Sequence, residues 1–358
     1  MSDLQISLIG IGIAVVLALY AYSWLQQRRY RRKFGAAFRH GHEDVLYRPV
    51  TVESVHKPPS GKVEQEGSSL AFNDEPHRPN VADEICALLD PTSDYVAKIS
   101  PKSLTGADAL ARLWQQRFDF GKNLNVCGLN VASGEWEKII PESRLPYATY
   151  KLALQLVTRS GAISEARLEE FRDLIRLIAT QLEADVTLPD VTVAFARGQT
   201  LDKFCAAVDQ LIGLNIMPGD DCLLSGGEIA RAAEHLDMSL QTDGSFHRFD
   251  AQGHSLFSLG NFDNTPFQHH TLGQLRVRGL TLLLDVPRVE QPTQRFDEML
   301  VLARQLAIEL DAAMVDDHYV ALSEAGIALI RDQIAAIEAD MLSGNIIPGS
   351  AQARRLFS

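Results

Sequence analysis

The amino-acid sequence predicts an α+β fold: an antiparallel sheet with helices packed on one face, laid out as two tandem related modules after an N-terminal transmembrane helix. Three observations predict it. An uncharged run of membrane-spanning length opens the chain. Beyond residue 80, strand-like and helix-like runs follow one another as strand, helix, several strands, helix, strand, helix. That order occurs twice.

The first element is the anchor. From Ile6 to Leu25 no residue is charged, and twenty helical residues span about 30 Å, the thickness of a bilayer's hydrocarbon core. A cleavable export signal places basic residues before a shorter apolar run and small residues after it. Here Asp3 precedes the run, Arg28, Arg29, Arg31, Arg32 and Lys33 follow it, and Tyr20, Tyr22 and Trp24 stand at interfacial depth. The positive-inside rule then puts the N-terminus outside and the rest of the chain in the cytoplasm. Residues 1–27 read as a retained, single-pass anchor in the lipid bilayer.

Charge divides along the same boundary. Residues 1–48 carry seven basic and three acidic side chains, a net of +4, so the total of −12 leaves −16 on residues 49–358. Basic residues beside the membrane attract anionic headgroups, whereas the acidic remainder excludes a nucleic-acid partner, which needs a basic face. Residues 28–80 form the juxtamembrane segment and a linker whose KPPSGKVEQEGSS and NDEPHRPN stretches lack periodicity. Cys86, Cys127, Cys205 and Cys222 show no CxxC pair and no ligand spacing to a histidine. They read as buried thiols in a reducing cytoplasm.

The two modules are expected over residues 81–208 and 209–345, with a C-terminal tail at 346–358. In RFDEMLVLARQLAIEL (295–310), Phe296, Met299, Leu302, Ala303, Leu306, Ala307 and Leu310 share one helical face. Shifted back by 128 residues, the same positions read Leu168, Phe171, Leu174, Ile175, Ile178, Ala179 and Leu182. Upstream, SLTGADALARLW (103–114) and LLSGGEIARAAE (223–234) match as helices at a shift of 120. Strands fill the interval: YATYKLALQLV (147–157) in the first copy, and 246–250, 256–262 and 275–286 in the second, after a strand at 212–217. Connections as short as FDAQGH suit antiparallel hairpins. Such a sheet has one face covered by helices and one face free.

The runs HRFDAQGHSLFSLGNF, GLTLLLDVPR, FDEMLVLARQLAIEL and MVDD resemble the C-terminal domain of the ZipA family, membrane-tethered cell-division proteins that bind the tubulin-like FtsZ. The resemblance covers residues 211–337. The anchor followed by basic residues is also the family's arrangement, although a short linker and the module at 81–208 stand where the family has a long Pro/Gln-rich linker. The resemblance implies a single-pass protein of the bacterial inner membrane, with a periplasmic N-terminus. It also implies a free sheet face that takes the amphipathic C-terminal tail peptide of FtsZ, which becomes helical on binding. The module at 81–208 is expected not to bind that tail, since ASGEWEKIIPE (132–142) replaces SLFSLGNFDNTPF.

Strand alternation identifies the free face independently. Phe257 and Leu259 turn to the helices, leaving Ser258, Gly260 and Phe262 outward, with Gly260 giving a peptide room to approach. Leu280, Leu282, Leu284 and Val286 form the core set, leaving Thr281, Leu283 and Asp285 outward. The family's motif places a peptide-contacting aromatic at the position of Leu283. Asn215, Met217 and His247 are further candidates on neighbouring strands. For Phe262 and Leu283, ordinary core or edge packing is the competing role.

No catalytic, cofactor or metal site emerges. GIGIAVVLAL lies in the anchor and lacks the phosphate-loop pattern, and no GxSxG elbow is present. His269 and His270 read as loop residues, and Asp316 and Asp317 as a strand-end turn. The sequence therefore points to a binding module that takes no small-molecule substrate. A membrane-anchored scaffold for another cytoplasmic partner is the alternative, and a membrane-anchored enzyme or ligand sensor a further one.

Overall fold

The computed structural model describes residues 89–219, 222–316 and 319–358. The expected anchor and linker, and Asp317, lie outside the described residues. Among the described residues no helix is long and apolar enough to cross a membrane.

In β1 (Asp94–Ser100), Tyr95, Ala97 and Ile99 are buried while Val96, Lys98 and Ser100 alternate to the other side. This period of two marks a strand with one covered face. A 3-10 turn (Ala107–Leu110) leads into α1 (Ala111–Gln116), so the helix expected over 103–114 begins later than its sequence pattern suggests. There follow β2 (Leu124–Asn130), β3 (Trp136–Lys138) and β4 (Tyr147–Gln155). A small hairpin of β5 (Val157–Thr158) and β6 (Gly161–Ala162) precedes α2 (Glu165–Gln181), β7 (Asp185–Thr187) and α3 (Val191–Val208). Ser164 and Asp190 start the two long helices by accepting hydrogen bonds from the Arg167 and Val193 N–H groups. Five strands make an antiparallel sheet in the order β3-β2-β4-β1-β7.

The second sheet starts with β8 (Leu211–Pro218). After β9 (Leu224–Ser225) and α4 (Gly226–His235) come β10 (Met238–Leu240), β11 (Phe246–Phe249), β12 (Ser255–Asn261), β13 (Arg276–Val277) and β14 (Leu280–Asp285). The chain closes with α5 (Pro292–Glu309), β15 (Ala312–Val315), α6 (Glu324–Ser343) and α7 (Ala351–Leu356). The antiparallel order is β10-β11-β12-β14-β8-β15, with β9 and β13 paired apart. The trio β7-β1-β4 in the first sheet has the same arrangement as β15-β8-β14 in the second. The strands between are wired differently: β10 to β14 meander, whereas β3 lies outside β2 and the chain returns to put β4 on β2's other edge.

The helices lie on one side of the second sheet. All seven apolar positions of α5 and its end, Phe296 to Leu310, are buried, and so are the six from Leu168 to Ala179 in α2, with Leu182 partly buried. α5 packs on β14, β8, β15 and β12, and α6 backs onto α5. The helix-facing side chains of both sheets join one contiguous hydrophobic cluster, within one compact unit spanning Arg78–Ser358. Helices α3 and α6 meet where Gly344 follows α6; a Cβ there would come within 2.6 Å of the Phe204 ring.

Two expectations are corrected. The residues set apart as a tail fold back instead: Ile346, Ala353, Leu356 and Phe357 are buried, and α7 is capped by Ser350. Its Arg355 pairs with the buried Asp94 at 2.9 Å, its carbonyl accepts a hydrogen bond from the buried Gln155 at 2.9 Å, and Gln352 bonds Asp90. A segment carrying this much apolar surface is stabilised by burying it. The cysteines are also not uniformly buried thiols. Cys205 is a buried free thiol, its pKa pushed up to about 12 by burial, but Cys222 is exposed and Cys127 is disulfide-bonded. The local sequence around a cysteine does not encode which segment arrives beside it.

Candidate partner-binding face

The side of the second sheet opposite α5 is built from alternate residues of five strands. Their register sets them in rows. His247, Ser258, Leu283 and Gly213 lie side by side across β11, β12, β14 and β8. Gly260, Thr281, Asn215 and Val315 form the next row, across β12, β14, β8 and β15. Beyond it Phe262 donates its N–H to the Gly279 carbonyl, Met217 fills the space where a Cβ on Gly279 would sit, and Ala313 is opposite Met217. All eight residues singled out in the sequence therefore share this side: Phe262, Leu283, Gly260, Ser258, Thr281, Asn215, Met217 and His247. Leu280, Leu282 and Leu284 face the helices and are fully buried, whereas Thr281 and Leu283 are half-buried.

None of these three rows contains an acidic or a Lys/Arg side chain. Asn215 is 8% exposed and its Oδ1 accepts from Thr281 Oγ1 at 2.9 Å, so the centre of the face is polar but internally satisfied. Above Gly260 there is open space: a Cβ would meet no heavy atom within 4 Å. His247 is held by the Ser255 hydroxyl at 2.7 Å on Nδ1 and by Asp243 Oδ2 at 2.9 Å on Nε2, and its ring stacks on Phe249 with centroids 5.7 Å apart. Burial would raise the Asp243 carboxyl, but hydrogen bonds from the Ser245 N–H, His247 and the Ser245 hydroxyl hold it below the usual range. The Asp243 turn is fixed by Gly244, whose φ of +80 and contact with Pro266 exclude a side chain.

Sequence reasoning missed two parts of this face. Tyr319, after β15, lays its exposed ring 6.0 Å from that of Phe262. It lies in a loop, where no period reveals which way a side chain turns. At the other end, Asp285 of β14 is clamped by Arg159, which follows β5: the guanidinium reaches Asp285 at 2.6 and 2.8 Å and Asp209 at 2.7 Å. Burial raises the Asp285 carboxyl in spite of that pairing. His269 and His270 are exposed between β12 and β13, and Asp316 sits in a turn accepting from the Val320 N–H. Among the described residues no group of three or more His, Cys, Asp or Glu side chains is arranged to hold a metal ion.

Gly260 permits a direct test. Its backbone is not left-handed, so Gly260→Phe should leave the melting temperature nearly unchanged while filling the space over the middle row. Any ligand lying across the face should then bind at least tenfold more weakly by titration. Unchanged affinity would move the binding site elsewhere.

Comparison with known proteins bears on the same segment. Residues 210–333 match the family model described as ZipA, C-terminal FtsZ-binding domain. The chain is 25% identical over 147 residues to the cell division protein ZipA of Ectopseudomonas mendocina (strain ymp), covering 40% of this chain and 54% of that protein. It is 25% identical over 148 residues to the cell division protein ZipA of Pseudomonas syringae pv. tomato (strain ATCC BAA-871 / DC3000), covering 39% and 50%. The chain thus spans about half the length of the curated relatives it matches.

Proposed function

We propose that this chain, ZipA-like over residues 210–333, is a membrane tether of the cell-division apparatus that takes the C-terminal tail of FtsZ on the open face of its second sheet. The observation that carries the reading is the composition of that face: Phe262, Met217 and Leu283 among uncharged polar residues, with Gly260 leaving room above the sheet. An amphipathic helix needs a few apolar anchors and a surface free of charge that it would otherwise desolvate. The uncharged run at 6–25 and the basic cluster after it support an inner-membrane anchor with the folded part in the cytoplasm.

Titration of the unit Arg78–Ser358 with the FtsZ tail peptide tests the partner. Phe262→Ser should weaken binding at least tenfold, because an exposed anchor of a groove contributes on the order of 2 kcal/mol. No binding by the unaltered unit would end the proposal. A topology test is separate: a reporter fused after Ser358 should be active only if it works in the cytoplasm, and a signal from a periplasm-only reporter would reverse the orientation.

A further inference from the structure

The first module reaches the open face of the second through Arg159. β5 and β6 pair Val157 with Ala162 and Thr158 with Gly161, so Arg159 stands at the tip of a two-residue hairpin turn. Lys122 pins that hairpin: its Nζ donates to Thr158 Oγ1 at 2.6 Å, to Ser160 Oγ at 3.1 Å and to the Gly161 carbonyl at 2.5 Å. Nε and Nη2 of Arg159 donate to Oδ1 of Asp209, the residue that ends α3, at 3.0 and 2.7 Å. Nη1 and Nη2 donate to the two carboxylate oxygens of Asp285 at 2.8 and 2.6 Å. A planar guanidinium held along two edges by two carboxylates is fixed in place before any ligand arrives.

Asp285 is where charge meets the open face. The three rows described above hold no acidic and no Lys/Arg side chain, and the next row sets Asp285 beside Leu211, a half-buried leucine of β8. An apolar helix lying over Leu283 and reaching Leu211 would also cover the Asp285 carboxylate. Taking a carboxylate out of water without a partner is costly. Within the second module Arg288 stands 4.0 Å from Asp285 and is 44% exposed, whereas Arg159 is 25% exposed and makes two direct bonds. The close counter-charge for this end of the face therefore comes from the first module.

We infer that the first module is part of the peptide site, with Arg159 as a positioning residue: it neutralises Asp285, and an apolar helix can then cover Leu283 and Leu211 together. The inference rests on the FtsZ reading given above. It gives the first module a role at a face whose strands it does not supply. The site is then longer than the three uncharged rows by the row of Asp285 and Leu211.

The test titrates the full chain, in detergent micelles, with the FtsZ tail peptide. Arg159→Ala should weaken binding at least tenfold, mostly through faster dissociation, because the carboxylate is left without its partner under the ligand. Asp285→Asn added to it should bring the affinity back to within threefold of the unaltered chain. Asp285→Asn alone removes the clamp without stranding a carboxylate, and should bind at least as tightly as the unaltered chain. That variant keeps the test decisive even if Arg159→Ala fails to fold. Tenfold weaker binding by Asp285→Asn alone, or no recovery in a folded double variant, would assign Arg159 to holding the modules together and overturn the inference. Unchanged affinity in Arg159→Ala overturns it too. Absence of binding by the unaltered chain is a different result, since it removes the FtsZ reading itself and this inference with it.

Discussion

Leu282→Ser is expected to unfold or severely destabilise the second sheet, while Leu283→Ser, one residue along, leaves it folded and unable to hold its partner. Leu282 is fully buried between the sheet and α5. Removing a buried leucine side chain costs about 2–5 kcal/mol, and the new hydroxyl enters a site with no polar partner at further cost. Leu283 points to the opposite side, between Ser258 and Gly213. Its substitution should move the melting temperature little and weaken tail binding at least tenfold. Thermal melts and peptide titrations on the two variants decide the matter. Reversed outcomes would mean that the faces of β14 are assigned the wrong way round.

Arg355→Ala should destabilise the compact unit by about 3–5 kcal/mol at neutral pH, because it strands a buried carboxylate. Asp94 is fully buried at the start of β1; its Oδ2 accepts from Arg355 at 2.9 Å and from the Asp90 N–H at 2.9 Å. Burial raises the Asp94 carboxyl above its ordinary value, although Arg355 and the Asp90 N–H pull the other way. A carboxyl raised in the folded state binds its proton more tightly there than in the unfolded chain. Its contribution to stability is therefore fullest below the ordinary carboxylate value and is lost as pH rises through the folded value. Without Arg355 the folded value rises further, so the loss deepens and extends to higher pH. Denaturant titrations at pH 7 and pH 4.5 should show the cost of the substitution shrinking at the lower pH. An equal cost at both would separate Arg355 from the charge of Asp94.

The two positions illustrate how differently the fold is written. That Leu282 is core and Leu283 is not was legible in GLTLLLDV, because side chains on a strand alternate with a period of two whatever lies above them. The helical stripes of α2 and α5 were legible for the same reason, a period of 3.6 that local geometry imposes. Asp94, by contrast, sits in DYVAKIS with no sign that its cation lies 261 residues away. The C-terminal residues read as a tail, and only their packing on β5 and on the 3-10 turn at Val286–Arg288, with bonds to Asp94 and Gln155, reveals α7 as a clasp.

By itself, then, the sequence determined the alternation of strands and helices in the two halves and the inward and outward faces of the strands of the second sheet, since each follows from short-range periodicity. Tertiary structure alone decided what those faces meet. It brought Tyr319 to Phe262, Arg159 to Asp285 across 126 residues, and three lysines into one row around Cys127. Such contacts depend on how segments distant in the chain pack together, which leaves no periodic trace along it.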